Sequence, residues 1–320
     1  MDYTRAFQYY APMGELRHRT AKYDLYPDFL LIGAAKAGTT ALYHALRQHS
    51  EIYMPATKEP NYFAFENGIP RFVGPGDEAL YTPLSTDLDA YRTLFPRDYE
   101  EKICGEASHW YLYSQEAPAR ICRALPSIKL LAILRDPIER AYSTFLHMRL
   151  HGREDLPDFD AAIRREPERI AKNWSWGHYL RRGLYFEQLS RYFTLFDPAQ
   201  IRVYLYEELI RNRADIVCNM FRFLGVSDSF LPPPRPRYNV SGIPRHPAVH
   251  RLVAKTLPAY GALRRFVPIR LRDTLRQAYN RDLRRPALSP SIRADLLPYF
   301  REDIMRLQDL LEKDLTDWLV

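Results

Sequence analysis

Cysteine is scarce in this chain, and the three present, Cys104, Cys122 and Cys218, are odd in number and far apart. That spacing excludes a disulfide framework and offers no metal-type pair, so buried thiols are expected. Long apolar runs are lacking too: nothing reaches the ~18 consecutive apolar residues of a membrane span. The N-terminus, MDYTRAFQYYAPMGELRHRT, is too polar for a secretory leader. A cytoplasmic protein is expected. There is no internal repeat, no low-complexity tract and no RNA- or DNA-binding signature, so nucleic acid is not expected among the partners. The 320 residues, 46% apolar and 27% charged, are ample for a packed core, read here as one domain, 1–320.

The most informative stretch runs from Asp28 to Leu46, DFLLIGAAKAGTTALYHAL. Phe29 to Ile32 has the length of a buried strand and stops at Gly33. A helix pattern follows, with Ala41, Leu42, Ala45 and Leu46 on one face. Between the two lie small residues and one lysine, so the N–H groups of Ala37, Gly38, Thr39 and Thr40 can converge at the helix N-terminus, where an anion is favoured. Gly33 and Gly38 carry no Cβ and let a phosphate-like group approach the main chain. The loop lacks one thing a nucleotide triphosphatase needs. GAAKAGTT keeps the Walker glycine spacing but has Thr39 in the lysine position, while Lys36 sits mid-loop. That lysine would lie beside the terminal group of a nucleotide without the usual magnesium geometry. A plain tight turn between strand and helix is the alternative.

Further along, Ile52 to Met54 reads as a short strand leading into Lys58-Glu59-Pro60-Asn61-Tyr62-Phe63, where Glu59 suits a carboxylate held at a cavity wall. Residues 66–86 read as loop and Asp87 to Phe95 as a capped helix. Lys102 to Gly105 is a strand entering Glu106-Ala107-Ser108-His109, a second loop with titratable groups. Ile128 to Leu134 is the clearest buried strand, ending at Arg135-Asp136-Pro137 before a helix with Pro137 in its first turn. In an open α/β sheet ligands lie beyond the carboxyl ends of the strands, so Arg135 faces the crevice of Lys36. Asp136 can imitate a Walker B carboxylate, but its ordinary role is helix N-cap. Helices interrupted by Gly177 and Gly183 fill 158–197, Ile201 to Leu205 is another strand, and a long amphipathic helix runs to Leu224. The alternation predicts an α/β fold, a mainly parallel sheet with helices on both faces. From Ser289-Pro290 a last helical region, 289–318, carries the stripe Leu296, Phe300, Ile304, Leu307 and Leu311, with a kink expected at Pro298.

Charge is concentrated in 245–285, where eleven Arg or Lys stand against Asp273 and Asp282 in a chain of formal net charge +7. Anionic ligands, lipid head groups or plain solvation all suit such a segment. Its apolar residues Leu252, Val253, Leu257, Leu263, Phe266, Val267 and Leu271 are interleaved with arginines, the pattern of a helical lid over an acceptor site or of a membrane-surface helix.

GAAKAGTTAL, KEPNYF, ILRDPIERAYSTFLH, RRGLYFEQLSRYF and VYLYEEL, in that order, resemble the sulfotransferases that use 3′-phosphoadenosine 5′-phosphosulfate. The likeness is to their heparan-sulfate-type and bacterial branch, to which Asn239-Val240-Ser241-Gly242-Ile243-Pro244-Arg245 is also similar. The resemblance implies a P-loop-containing three-layer fold and sulfuryl transfer to an acceptor hydroxyl on a carbohydrate, lipid or small molecule, without a metal. It implies that Lys36 bridges the 5′-phosphate and the transferring group while Ala37, Gly38, Thr39 and Thr40 cradle that phosphate. Arg135 and Ser143 would hold the 3′-phosphate with Arg245 nearby, Tyr206 would lie beside the adenine, and Glu59 would be the general base. One departure matters: that branch has a lysine after the glutamate of the second loop, and this chain has Ala107, then Ser108 and His109. Cytosolic members of the wider family use a histidine in the corresponding region, which keeps His109 as an alternative base. A P-loop nucleotide kinase would need a lysine after Gly38 and a magnesium carboxylate, and a non-catalytic nucleotide-binding protein would lack a working base.

Overall fold

The computed structural model describes residues 26–95, 100–233, 241–246 and 280–320. The lid helices expected within 245–285 fall mostly on 247–279, outside the described residues.

Five strands form the central sheet: β1 (Phe29–Gly33), β2 (Ile52–Tyr53), β3 (Ile103–Ala107), β4 (Lys129–Leu134) and β5 (Ile201–Leu205). Their order is β2-β3-β1-β4-β5, and every pairing is parallel. Parallel neighbours need crossovers, and helices supply them. Strand β1 is buried along its whole length, as is β4 beyond Lys129. This explains their unbroken apolar runs: a strand covered on both faces has no polar side to alternate with. Because all five strands point the same way, Gly33, Ala107, Leu134 and Leu205 end at one edge, where the loops that follow them meet.

The C-terminal helix Pro290–Leu311 packs against the helix Tyr185–Leu195 and buries Leu296, Phe300, Ile304 and Leu307, with Leu311 half-buried. Asp303 of that helix accepts from the N–H groups of Phe186 (3.1 Å) and Glu187 (3.4 Å), capping its neighbour. The helix continues through Pro298, which lies on the exposed side where water can serve the carbonyl that loses its donor. No described helix is long and apolar enough to cross a membrane.

Several local expectations are corrected. The inner face of helix Thr39–Leu46 is Thr39, Leu42, Tyr43, Ala45 and Leu46, with the Tyr43 hydroxyl donating to the carbonyl of Pro55 (2.5 Å), and Ala41 is exposed. The segment 66–86 contains two short helical turns, Asp77–Leu80 and Pro83–Thr86, the first anchored by buried Asp77, which accepts from Ser175 N (3.0 Å). The long helix predicted to end at Leu224 is two, Tyr206–Arg211 and Arg213–Leu224, because Asn212 leaves helical geometry (φ −142°) and its side chain caps the second at Asp215 N. Of the cysteines only Cys104 is buried, and Cys122 and Cys218 are partly exposed.

Candidate active site

The loop after β1 is shaped by its glycines. At Gly38 (φ 109°) a Cβ would lie 3.1 Å from the Tyr206 ring and 3.3 Å from Ile133, so both conformation and space demand glycine. Gly38 is the N-cap of helix Thr39–Leu46, no side chain caps that end and its first turn has no acid. The end is thereby left to an outside anion. Ala37 is fully buried and contributes backbone; Ala34 N–H is tied to Ile133 O (2.7 Å), fixing the loop to β4.

Gly38, Thr39 and Thr40 line a cavity of about 890 Å³ together with Lys36, Glu59, His109, Arg135, Ser143 and Tyr206. Sequence separations of up to 170 residues thus close on one space. Lys36 has a left-handed backbone (φ 65°), and burial, followed by the charge of Arg135, lowers its ammonium to about 7. Two cations pressed together in a desolvated loop ease the loss of the lysine proton, and an anion opposes that loss. Arg135 is buried against the Tyr206 ring, 4.8 Å from its centroid, and donates to Glu139 Oε2 (3.1 Å). The same oxygen accepts from Arg285 (2.5 Å). Two guanidinium groups are therefore aligned on one wall by one carboxylate. Ser143 stands two turns into helix Pro137–Leu150, its hydroxyl 3.2 Å from that of Ser241.

Asp136 is the N-cap of that helix, accepting from Ile138 N (2.9 Å) and Glu139 N (3.0 Å), and pairs with Arg293 (2.7 Å). Its lone pairs are committed to a structural role. Among the described residues no group of three His, Cys, Asp or Glu could hold a metal ion.

The two remaining loops open on the same cavity. Glu59 N–H donates to Ala107 O (3.0 Å) at the end of β3, Glu59 pairs with Lys58, and its Oε2 lies 3.2 Å from His109 Nδ1. Burial alone would push the Glu59 carboxyl up, but His109 and then Lys58 outweigh it and hold it well below the usual carboxylate range. Burial lowers the imidazole of His109 against the opposing pull of Glu59. With Nδ1 turned to the carboxylate, Nε2 is the remaining ring nitrogen, buried and without a hydrogen-bond partner among the described residues. Trp176 covers the imidazole, ring centroids 5.6 Å apart.

Arg245, by contrast, is exposed and is not part of the cavity wall; its N–H donates to Asp282 O (3.0 Å). Ser241 and Arg285, which sequence reasoning missed, line the cavity instead, brought there by the pairing of Ile243–Pro244 with Leu283–Arg284. His147, also missed, follows Ser143 by one helical turn and faces the same cavity. That spacing was a usable signal; Trp176 had none.

The sulfotransferase domain family matches residues 26–231. The chain belongs to the sulfotransferase family. A crystal structure of a sulfotransferase from Alicyclobacillus acidocaldarius is 31% identical, covers 92% of this chain and 98% of its own, and superposes with a TM-score of 0.73. Among curated relatives, the bifunctional heparan sulfate N-deacetylase/N-sulfotransferase 4 of Mus musculus is 29% identical over 246 residues, 72% of this chain and 25% of the relative. Heparan sulfate glucosamine 3-O-sulfotransferase 3A1 of the same organism is 30% identical over 200 residues, 62% of this chain and 46% of the relative. The chain thus spans less than half the length of those two relatives.

Proposed function

We propose that the protein transfers a sulfuryl group from 3′-phosphoadenosine 5′-phosphosulfate to an acceptor hydroxyl. The observation that carries this reading is the single cavity in which the uncapped phosphate loop with Lys36, the Arg135 and Ser143 wall, and the Glu59 and His109 pair all open. In that arrangement Thr39 and Thr40 at the helix N-terminus bind the 5′-phosphate, and Arg135, Ser143, Ser241 and Arg285 bind the 3′-phosphate. Tyr206, stacked under Arg135, borders the nucleoside. Lys36 gains its proton as the phosphosulfate enters and neutralises the leaving phosphate oxygen, the task magnesium performs in kinases.

The acceptor oxygen attacks sulfur in line, the bond from sulfur to the 5′-phosphate oxygen breaks, and the hydroxyl proton passes to the base. The local geometry favours His109 Nε2 as that base, with Glu59 orienting the ring through Nδ1 and stabilising the imidazolium. Glu59 itself is a poor proton acceptor while Lys58 and His109 hold its oxygens. The heparan sulfate relatives make a carbohydrate hydroxyl the leading acceptor class, with lipids and other small molecules as the alternatives. A thermal-shift titration tests the nucleotide half of the proposal. Adenosine 3′,5′-bisphosphate should raise Tm without added metal and magnesium-ADP much less, whereas a larger effect from magnesium-ADP would favour a kinase.

A further inference from the structure

Behind the cavity, Glu106 at the end of β3 is 1% exposed and takes no part in the wall. A carboxylate so placed normally needs a cationic partner, yet its contacts are three hydroxyls. Tyr91 (3.3 Å) and Tyr111 (2.5 Å) donate to Oε1, and Ser108 (2.9 Å) donates to Oε2. Burial pushes the carboxyl up to about 7 against the pull of those three donors. A core of apolar residues would be cheaper here, so the group needs a reason.

The reason lies one bond further on. Ser108 Oγ, whose hydroxyl donates to Glu106, accepts from the N–H of Asn61 (3.0 Å). Asn61 Nδ2 in turn donates to the carbonyl of Glu59 (2.8 Å). Glu59 (φ 65°) and Asn61 (φ 58°) both have left-handed backbones, which non-glycine residues adopt only when their surroundings impose it. These links impose it, together with Glu59 N–H on Ala107 O (3.0 Å). On the same strand end, His109 follows Ser108 by one residue and receives the Glu59 carboxylate at Nδ1 (3.2 Å).

We infer that Glu106 is a positioning residue for the base: through Ser108 and Asn61 it holds the backbone of Glu59 so that the Glu59 carboxylate meets His109. Above about pH 7 the carboxylate is ionised and accepts hydrogen bonds only, which fixes the Ser108 hydroxyl as donor toward Glu106 and leaves its lone pairs to Asn61. Glutamine at this position keeps the volume but reverses that polarity: with Oε1 taken by the tyrosines, its amide faces Ser108, whose own proton is then driven toward Asn61 N–H. The inference rests on the proposed roles of Glu59 and His109, but its test does not require the acceptor to be known.

The test is nitrogen-15 NMR of the histidine side chains in the full chain, with His109→Gln to assign the signal and adenosine 3′,5′-bisphosphate thermal shift run in parallel. The wild type should show His109 as one neutral tautomer with the proton on Nδ1, and Glu59→Gln should lose that preference. Glu106→Gln and Ser108→Ala should lose it in the same way while keeping the nucleotide-induced Tm shift, because Lys36 and Arg135 hang from β1 and β4. Tyr111→Phe removes a donor from Glu106 without touching the Ser108 to Asn61 link, so it should lower Tm and leave the His109 signal as in the wild type. An unchanged His109 signal in both Glu106→Gln and Ser108→Ala would overturn the inference, as would its equal loss in Tyr111→Phe, which would mean general loosening. Absence of a nucleotide shift in the wild type would instead count against the proposed function.

Discussion

Lys36 gives the sharpest quantitative test, because its charge in the free protein is set by what surrounds it. Burial first, and Arg135 second, bring its ammonium down to about 7. The negative charge of a bound phosphate offsets both influences, so a return toward the ordinary lysine value of about 10.4 is expected in the complex. Binding then takes up a proton wherever the pH lies between those two values. At pH 8 about nine-tenths of Lys36 is neutral in the nucleotide-free protein, so uptake should be about 0.9 proton per nucleotide. Affinity for adenosine 3′,5′-bisphosphate should fall as pH rises, by about 50-fold from pH 7 to pH 9, or roughly 2.3 kcal/mol at 1.36 kcal/mol per tenfold step. Well below pH 7 the lysine is already charged, and its contribution levels off. The assay is isothermal titration calorimetry at pH 8 in two buffers of different ionisation enthalpy, with Kd measured across pH 7 to 9. Lys36→Met should bind more weakly at pH 7 and show neither the uptake nor the slope. A flat affinity in the wild type, or a slope that survives in Lys36→Met, would refute the reasoning.

Other consequences can be checked with ordinary variants. Arg135→Ala should weaken bisphosphate nucleotide binding by about 1.5–3 kcal/mol, the range for hydrogen bonds to charged groups, read by calorimetry. His109→Gln should cost ~10²- to 10⁴-fold in turnover while nucleotide binding persists, and Glu59→Gln should follow it; normal turnover in His109→Gln would return the base to Glu59. Gly105→Ala should destabilise the fold by about 1–3 kcal/mol through overpacking, since its Cβ would sit 2.2 Å from the Phe29 ring across the β1 to β3 register. Chemical denaturation measures that loss.

The phosphate loop was legible in the sequence because its chemistry is local: strand, glycine, lysine, glycine and helix lie within twenty residues, and each has a backbone reason to be there. Arg135 was legible for the same cause, standing at the end of the most apolar strand. The contact between Glu59 and His109 was not, since fifty residues separate them and only the parallel pairing of β2 with β3 carries their loops to one edge. Reading the two as rival bases was natural in one dimension. In three, their side chains meet, with Glu59 Oε2 3.2 Å from His109 Nδ1. Ser241 and Arg285 were hidden for a related reason, because a two-residue strand pairing joins segments forty residues apart. The break at Asn212 was written in the sequence as a capping residue but was masked by the apolar periodicity on either side.

The central claim, sulfuryl transfer from the phosphosulfate donor, is tested most directly by mass spectrometry of carbohydrate, lipid and small-molecule extracts incubated with the protein and 3′-phosphoadenosine 5′-phosphosulfate. The account predicts an acceptor that gains one sulfuryl group, an equal amount of adenosine 3′,5′-bisphosphate, and the loss of both with Lys36→Ala. Undiminished product formation by Lys36→Ala, or a phosphoryl gain from ATP and magnesium with the sulfate donor left intact, would contradict it.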